Sequence, residues 1–258
     1  MEDGAQTMVD ASTLLGFTGL WATISFSVGR LASACILSSK PNAVARCYGT
    51  ALIHNIVATC DATRALVVYA STPVQIVCGV PPRGHCASTL LSLHCFIGYL
   101  LVDLIHIVRF FPHCGRWDMI AHHAGFIVFT AVAIECGVLP IVGSVLLLHE
   151  CSTIPLNLRW FIVHWLPGRA DGRRALCVRV AEALFVASYF LLRVASFLPF
   201  VIHVCATLLP RAVELNALGV HSAFCIGAGL WGVQALYGFW FLKIVQKITL
   251  ARRGEKLA

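Results

Sequence analysis

The chain has 258 residues, of which 59% are apolar and 12% are charged, and its mean hydropathy is +0.82. A soluble domain of this length cannot normally hide so much apolar surface, so the composition excludes an ordinary water-soluble protein. The net charge is +7, but nucleic-acid binding needs a basic face on a soluble element, and the sequence shows no such element. We therefore expect a membrane protein without a nucleic-acid partner, whose positive charge contacts anionic cytosolic leaflets.

Seven apolar runs follow one another along the chain. A transmembrane helix needs roughly 20 apolar residues, and these runs are too long and continuous for the short alternating strands of a membrane β-barrel. The pattern predicts an all-α integral membrane protein with about seven transmembrane helices, at Ser12–Val28, Cys47–Tyr69, Leu90–Val108, Met119–Ile134, Val138–Phe161, Val180–Leu209 and Ala217–Ile248.

Lysine and arginine residues alternate between the connecting loops. The first, third and fifth loops and the C-terminal end carry most of them, and Arg30, Lys40 and Arg46 lie in the first loop. Basic loops stay on the cytosolic side of a membrane, so we expect a lumenal N-terminus and a cytosolic C-terminus. The acidic residues Glu2 and Asp3 replace the basic start of a cleaved signal peptide, which predicts that the first helix is retained.

The twelve cysteines do not form a C-x-x-C pair, so the spacing typical of metal and redox sites is absent. We interpret most of them as small apolar residues within the spans. Cys78 and Cys86 flank the second loop and can form a disulfide in an oxidising compartment. A zinc site built from His106, His122, His149 and a carboxylate is compatible with the geometry, but no spacing selects it, and we expect no metal.

A histidine pair, His122–His123, lies inside the predicted fourth span, where ionisable groups are costly and usually mark a site. The turn to the fifth span, near Glu135, is short. The histidines lie about 14 residues before it and Glu150 about 13 after it, which places both roughly 20 Å from the lumenal end. Asp103 and His54 should reach a similar depth on the third and second spans. We therefore expect four helices to bring ionisable groups into one layer near the cytosolic side.

This layer suits proton-transfer chemistry. A neutral histidine is a general base or nucleophile near neutral pH, and a carboxylate can fix its tautomer. The combination suits acyl transfer from an activated donor to an amine or hydroxyl, and the alternative is a polar network that locks helix packing. Pro155 should interrupt the fifth span and free a carbonyl near Cys151. The candidate catalytic residues are His122, His123, Glu150 and Asp103.

Five ordered motifs resemble the TRAM/LAG/CLN homology (TLC) domain family. They are Gly98–Leu104, Ile120–His123, His149–Phe161, Arg193–Pro199 and Trp240–Val245. The third motif is similar to that of the small TLC-domain-containing proteins, and the ceramide synthases are more distant. The resemblance covers about residues 45–250 and divides the chain into an N-terminal segment with the first transmembrane helix (1–44), a TLC domain (45–250) and a cytosolic tail (251–258).

The resemblance implies six core helices in a curved barrel around a lipid-sized cavity, usually in the endoplasmic reticulum. Ceramide synthases join an acyl group from acyl-CoA to a sphingoid amine, and their histidine pair corresponds to His122 and His123. Their fifth-helix motif has two aspartates, whereas this chain has Glu150 and Ser152-Thr153. The candidate substrate-binding residues are His54, His106, Ser152, Thr153, Asn157, Arg159, Arg193 and Trp240.

The resemblance implies two functions in membrane-lipid homeostasis. One is a ceramide-synthase-like lipid acyltransferase with acyl-CoA as co-substrate and no bound cofactor. The other is a non-enzymatic factor for lipid binding, lipid transfer or trafficking in the endoplasmic reticulum. In both, the expected partners are membrane lipids, with homo- or hetero-oligomers in the membrane as a further expectation.

Overall fold

A computed structural model describes residues 10–35, 42–70, 85–136, 140–165, 172–216 and 218–253. The regular structure in these ranges is helical. Seven of the helical segments that it describes are long and apolar enough to cross a membrane, which confirms the all-α fold with seven spans. We number the spans in chain order: Ala11–Leu31, Ala43–Ala70, Thr89–Arg109, Trp117–Glu135, Ile141–His164, Gly172–Glu214 and Val220–Leu250.

The spans are built from ten α-helices, one 3₁₀ segment and two π segments among the described residues. The first four spans are single helices: α1 (Ala11–Cys35), α2 (Asn42–Ala70), α3 (His85–Arg109) and α4 (Trp117–Cys136). The fifth consists of α5 (Pro140–Leu148), a 3₁₀ turn (His149–Thr153) and α6 (Ile154–Trp165). The sixth consists of α7 (Gly172–Ser188), a π segment (Tyr189–Ala195), α8 (Phe197–His203), a second π segment (Val204–Leu208) and α9 (Leu209–Glu214). The seventh is the single helix α10 (Val220–Arg253).

Prolines account for the irregular segments of the fifth and sixth spans. Pro155 has no N–H to donate and its ring crowds the preceding turn, so the helix tightens there and the Ile154 N–H donates to the Cys151 carbonyl. The two π segments lie just before Pro199 and Pro210. A wider turn before each proline relieves the same crowding. The predicted interruption near Cys151 is therefore confirmed, and it takes the form of a 3₁₀ turn.

The third span is the best-buried one, with half of its apolar window inside the protein. Helix α3 packs against α1, α2 and α4. Gly98 allows the close approach of α1, because a Cβ atom there would lie 3.0 Å from the Phe17 backbone. Trp21 of α1 donates its indole N–H to the Cys95 carbonyl at 3.1 Å. These contacts fix the third span, and with it Asp103, at the centre of the bundle.

The N-terminal end of α1 is capped by Asp10. Its carboxylate accepts hydrogen bonds from the Thr13 hydroxyl and from the Ser12 hydroxyl and N–H. These bonds, that of the Thr13 hydroxyl foremost, lower the pKa of Asp10 to about 2. An aspartate at this position satisfies backbone N–H groups that begin the helix, so α1 starts where the charged N-terminal residues end.

The sixth span differs most from the prediction, because it is eight residues longer at its start and five longer at its end. The sixth begins at Gly172 rather than Val180, because the arginine-rich turns before the apolar run continue the same helix. Cys78 and the side chain of Cys86 lie outside the described residues, so their disulfide stays a prediction. A small cavity of about 10 Å³ lies between the third, fourth and fifth spans, which is room for about one water molecule. A lipid-sized cavity therefore also stays a prediction.

Candidate functional site

Asp103 and His123 form a buried pair between the third and fourth spans. The His123 Nε2 atom lies 2.9 Å from Asp103 Oδ2, and the two side chains are only 5% and 11% exposed. The other ring nitrogen, Nδ1, lies 2.9 Å from the Met119 carbonyl oxygen. The third and fourth spans thus bring their ionisable groups together, as the depth argument predicted.

The hydrogen bonds of His123 define where its protons lie. A carbonyl oxygen can only accept, so Nδ1 carries a proton. Nε2 faces a carboxylate oxygen, so a second proton lies between His123 and Asp103. The pair therefore holds a shared proton in a charge-assisted hydrogen bond. His123 is engaged at both nitrogens, which makes it an orienting group rather than a base with a free lone pair.

His122 has different surroundings. Its ring packs against Phe126 at 4.5 Å and Trp240 at 4.9 Å between centroids, and against His123 at 5.4 Å. The buried Nδ1 atom has no hydrogen-bond partner among the described residues. An imidazole nitrogen without a partner in an apolar setting is costly. His122, rather than His123, is therefore the histidine whose nitrogen is available to a substrate.

Arg193 lies at the centre of a second polar cluster, which we call the Arg193 network. Its Nε donates to Ser152 Oγ at 2.8 Å, and its Nη2 donates to the His149 carbonyl at 3.0 Å and to Thr153 Oγ1 at 3.1 Å. Nη2 also donates to Glu150 Oε1 at 3.3 Å. Arg193 is 4% exposed, so this cation is buried with its charge compensated and its Nε and Nη2 donors occupied.

The irregular segments explain how the network forms. The 3₁₀ turn at His149–Thr153 points its hydroxyls and a backbone carbonyl toward the neighbouring sixth span. The π segment Tyr189–Ala195 presents Arg193 to them. The prolines that distort the two spans thus shape both halves of the network. Helix interruptions at functional sites commonly expose backbone groups in this way.

Aromatic residues that the motif analysis missed complete the network. The Arg193 guanidinium lies over the rings of Tyr237 at 4.8 Å and Tyr189 at 5.5 Å. The Tyr237 hydroxyl lies 3.3 Å from His149 Nδ1. Tyr237 and Trp240 are three residues apart on α10 and share a helix face. Because Trp240 was a candidate substrate-binding residue, its spacing of three residues from Tyr237 was the sequence signal that could have identified Tyr237 as part of the site.

The carboxylate of Glu150 takes a different partner from the one that its depth suggested. Sequence arithmetic placed Glu150 level with the histidines, and Glu150 does interact electrostatically with His123 and His54. Its hydrogen bond, however, goes to Arg193, and Asp103 is the carboxylate that meets His123. The layer therefore contains two separate ion pairs.

His54 lies at the same level on the second span. Its ring stacks on Tyr99 with 3.8 Å between centroids, and Trp21 packs against its edge at 5.4 Å. Its Nδ1 lies 3.2 Å from Asn55 Oδ1. With 2% exposure, His54 is enclosed by the aromatic rings of the first and third spans.

The remaining candidates divide into buried and peripheral residues. His106 and Asn157 each have a buried side-chain nitrogen without a partner in the described ranges, and Trp240 packs on His122. Arg159 lies apart, because it pairs with Glu182 at 2.6 Å and the two side chains are 39% and 48% exposed. Arg159 is thus not brought together with the other candidate site residues.

The donor set does not resemble a metal centre. Within the part of the chain that the structure describes, no three His, Cys, Asp or Glu side chains gather to hold a metal ion. The described residues offer instead one shared-proton pair, the buried Arg193 guanidinium and two buried imidazole nitrogens without a partner, one on His122 and one on His106. Such groups can orient a polar head group and accept a proton.

Comparisons with known proteins agree with the motifs. The model of the TLC domain matches residues 48–246. TLC domain-containing protein 4-B of Xenopus laevis is 25% identical over 167 residues, which are 61% of this chain and 59% of that protein. TLC domain-containing protein 4 of Homo sapiens is 28% identical over 102 residues, 40% of this chain and 37% of that protein. The aligned regions thus span less than two thirds of either relative, and no solved structure matches.

Proposed function

Because the chain belongs to the TLC domain family, we propose that it acts in membrane-lipid homeostasis by binding a lipid or fatty-acyl substrate at its intramembrane polar layer. The observation that carries this proposal is the buried His122 Nδ1 atom, which has no partner among the described residues and lies beside the Asp103–His123 pair. A ligand that offers a hydroxyl or amine would satisfy it. Such a group, attached to an apolar chain, is what a membrane lipid presents.

Acyl transfer is the form of processing that His122 favours. As a lipid amine or hydroxyl attacks the thioester carbonyl of acyl-CoA, His122 would take the proton of the attacking group. A C–N or C–O bond forms, the C–S bond breaks, and the proton passes to the leaving thiolate. The Asp103–His123 pair would hold the adjacent ring in place. General-base catalysis of this kind contributes about 10²–10⁴-fold in rate.

The second candidate is a non-enzymatic lipid-binding, lipid-transfer or trafficking factor that uses the same layer. The departure from the two-aspartate motif supports it, because Glu150 is occupied by Arg193 rather than by a histidine. A binder needs a hydrogen-bonding group of the right size at position 122, whereas an enzyme needs a group that accepts and returns a proton. Glutamine offers the first and not the second.

Lipid profiling of cells that lack the protein separates these candidates. We would compare rescue by the wild type, by His122→Gln, and by His113→Gln, whose exposed side chain lies in the loop between the third and fourth spans. If the protein is an acyltransferase, His122→Gln should be made normally yet fail to restore the profile, while His113→Gln restores it. Full rescue by His122→Gln would contradict catalysis and leave binding, and an unchanged profile on deletion would contradict both.

We also propose an endoplasmic reticulum location with the N-terminus in the lumen and the C-terminus in the cytosol. The alternation of basic loops supports this orientation. A glycosylation acceptor added before residue 1 should be modified, and one added after residue 258 should not. The reverse pattern would place the polar layer near the lumenal side and contradict the depth argument.

A further inference from the structure

Two cysteines meet at the end of the bundle where the basic first and third loops lie. Cys47 is near the start of α2, and Cys114 is in the turn that joins the third and fourth spans. The Cys47 thiol donates a hydrogen bond to the sulfur of Cys114. Both cysteines are free and half-buried. Two thiols from distant parts of the sequence are thus already in contact.

The turn fixes the position of Cys114. The N–H groups of His113 and Cys114 both donate to the Phe110 carbonyl, at 2.7 Å and 3.3 Å. The next residue, Gly115, lies close to the third span, because a Cβ atom there would be 3.0 Å from the Ile107 side chain. The backbone is therefore held on both sides of Cys114, and its side chain leads to Cys47.

The contact also affects the reactivity of Cys114. The hydrogen bond from Cys47 lowers the pKa of Cys114, although burial and the charge of Asp103 oppose it. A lower pKa increases the fraction of thiolate, which is the form that reacts with oxidants. Redox-sensing cysteines have a low pKa, access to solvent and a second thiol beside them. Cys114 has all three features, and Cys47 is the second thiol.

We propose that Cys47 and Cys114 form a reversible disulfide when a hydroperoxide oxidises Cys114, and that this bond joins the second span to the turn between the third and fourth spans. This inference goes beyond the proposed function, because it assigns a modification site whichever lipid binds. The pair lies on the proposed cytosolic side. Disulfides in the cytosol are usually transient, so we expect glutathione to reduce this one.

The reaction has two steps. In the first, the Cys114 thiolate attacks the O–O bond of the hydroperoxide. An S–O bond forms, the O–O bond breaks, and the leaving alkoxide or hydroxide takes up the proton that Cys114 released. In the second, the Cys47 sulfur attacks the Cys114 sulfenic acid: an S–S bond forms, the S–O bond breaks, and the leaving hydroxide takes the Cys47 proton to give water. The two thiols lose two electrons, and the hydroperoxide gains them.

The disulfide lies beside candidate catalytic residues. Asp103 interacts electrostatically with both sulfurs, and it is hydrogen-bonded to His123. A covalent link between α2 and the turn closes a long stretch of chain, which restricts the unfolded state. It also fixes the second span relative to the hairpin that carries the Asp103–His123 pair. Oxidation therefore makes this end of the bundle more rigid.

Peptide mass spectrometry of the full-length protein in membranes tests the bond. The membranes are treated with increasing hydrogen peroxide, the remaining thiols are blocked, and trypsin is added without reductant. Trypsin releases residues 110–116, in which Cys114 is the one cysteine, and residues 47–64, which contain Cys47 and Cys60. We expect these two peptides to become linked through Cys47, with Cys60 remaining reduced. The link should disappear after treatment with glutathione.

The exposed Cys177 at the start of α7 is the matched reference within the same molecule. Cys114 should be oxidised about threefold to tenfold faster than Cys177, because a larger thiolate fraction reacts faster. Cys47→Ser should leave Cys114 as a sulfenic acid that a dimedone reagent labels, without the link. Cys114→Ser should leave Cys47 reduced, and Cys177→Ser should form the link as the wild type does.

Thermal unfolding in detergent tests the effect of the bond on the bundle. The oxidised wild type should have a Tm about 5 °C or more above that of the reduced wild type, because a link across a long loop stabilises the folded state. Cys47→Ser should show no such rise on oxidation. An equal Tm for the two forms of the wild type would contradict the rigid end.

Three results would overturn the redox pair. One is a Cys114 that oxidises no faster than Cys177. Another is oxidation of Cys114 without a link to Cys47 in the wild type, a measurement that needs no variant to fold. The third is a link that is complete before peroxide is added and resists glutathione, since the bond would then be permanent. None of these results depends on the lipid substrate, so the proposed function is tested separately.

Discussion

Two polar regions lie inside the same bundle and differ in how their groups are satisfied. In the Arg193 network, the guanidinium contacts two hydroxyls, a carbonyl and a carboxylate. A second set of residues, which we call the open group, has buried polar atoms without a partner among the described residues. Its members lie on the second, fourth and fifth spans and are Arg46, Thr50, His122 and Asn157. Burial is similar for Arg193, Thr50 and Asn157, so burial alone does not distinguish the regions.

The difference assigns a role to each region. A buried polar group that has its partners holds helices in one arrangement, whereas one that lacks them costs stability in the absence of a ligand. The Arg193 network joins the 3₁₀ turn of the fifth span to the π segment of the sixth, so we interpret it as the element that holds the site in place. We interpret the open group as the part that contacts the substrate.

The largest effect should come from breaking the Arg193 network. Arg193→Gln cannot replace all of the guanidinium contacts and leaves Glu150 without its cation. We expect a loss of about 3–5 kcal/mol in the free energy of unfolding, which is typical when one partner of a buried ion pair is removed. Thermal or denaturant unfolding in detergent measures it. A loss below about 1 kcal/mol would mean that the network does not hold the two spans together.

A smaller loss should follow Asp103→Asn. Asparagine keeps the size of the side chain but cannot share a proton with His123 as a carboxylate does. Hydrogen bonds to charged groups contribute about 1.5–3 kcal/mol, and we expect a destabilisation in that range, below that of Arg193→Gln. Unfolding under the same conditions tests the order. A larger loss for Asp103→Asn would mean that the Asp103–His123 pair stabilises the bundle more than the Arg193 network does.

The smallest effect should come from Arg159→Gln. The Arg159–Glu182 pair is partly exposed, and such pairs contribute at most about 1 kcal/mol. If the lipid profile is also unchanged, Arg159 has no part in the substrate site despite its place in the motif. If Arg159→Gln changes the lipid profile as much as His122→Gln does, Arg159 would instead belong to the substrate site together with the open group.

The sequence predicts some of these features well and others poorly, for physical reasons. Apolar length determines the spans, and the turn near Glu135 determines the depth of His122 and His123, so the layer was predictable. Depth does not give the direction of a side chain around its helix, so Glu150 and Asp103 were placed level without their partners being known. The direction of Arg193 depends on a π segment, whose wider turn changes the angular position of every later residue. Thr50 has no distinguishing motif, because its choice of partner depends on packing.

The most direct test of the account is the change in Tm of two small, paired substitutions in the purified, lipid-free protein. Ser152→Ala removes the acceptor of Arg193 Nε, whereas Thr50→Val removes a buried hydroxyl that has no partner among the described residues. The account predicts opposite signs: Ser152→Ala should lower the free energy of unfolding by about 1–3 kcal/mol, and Thr50→Val should raise it. If both substitutions lower the Tm by similar amounts, the two regions do not differ as described and the division into a holding network and an open group is wrong.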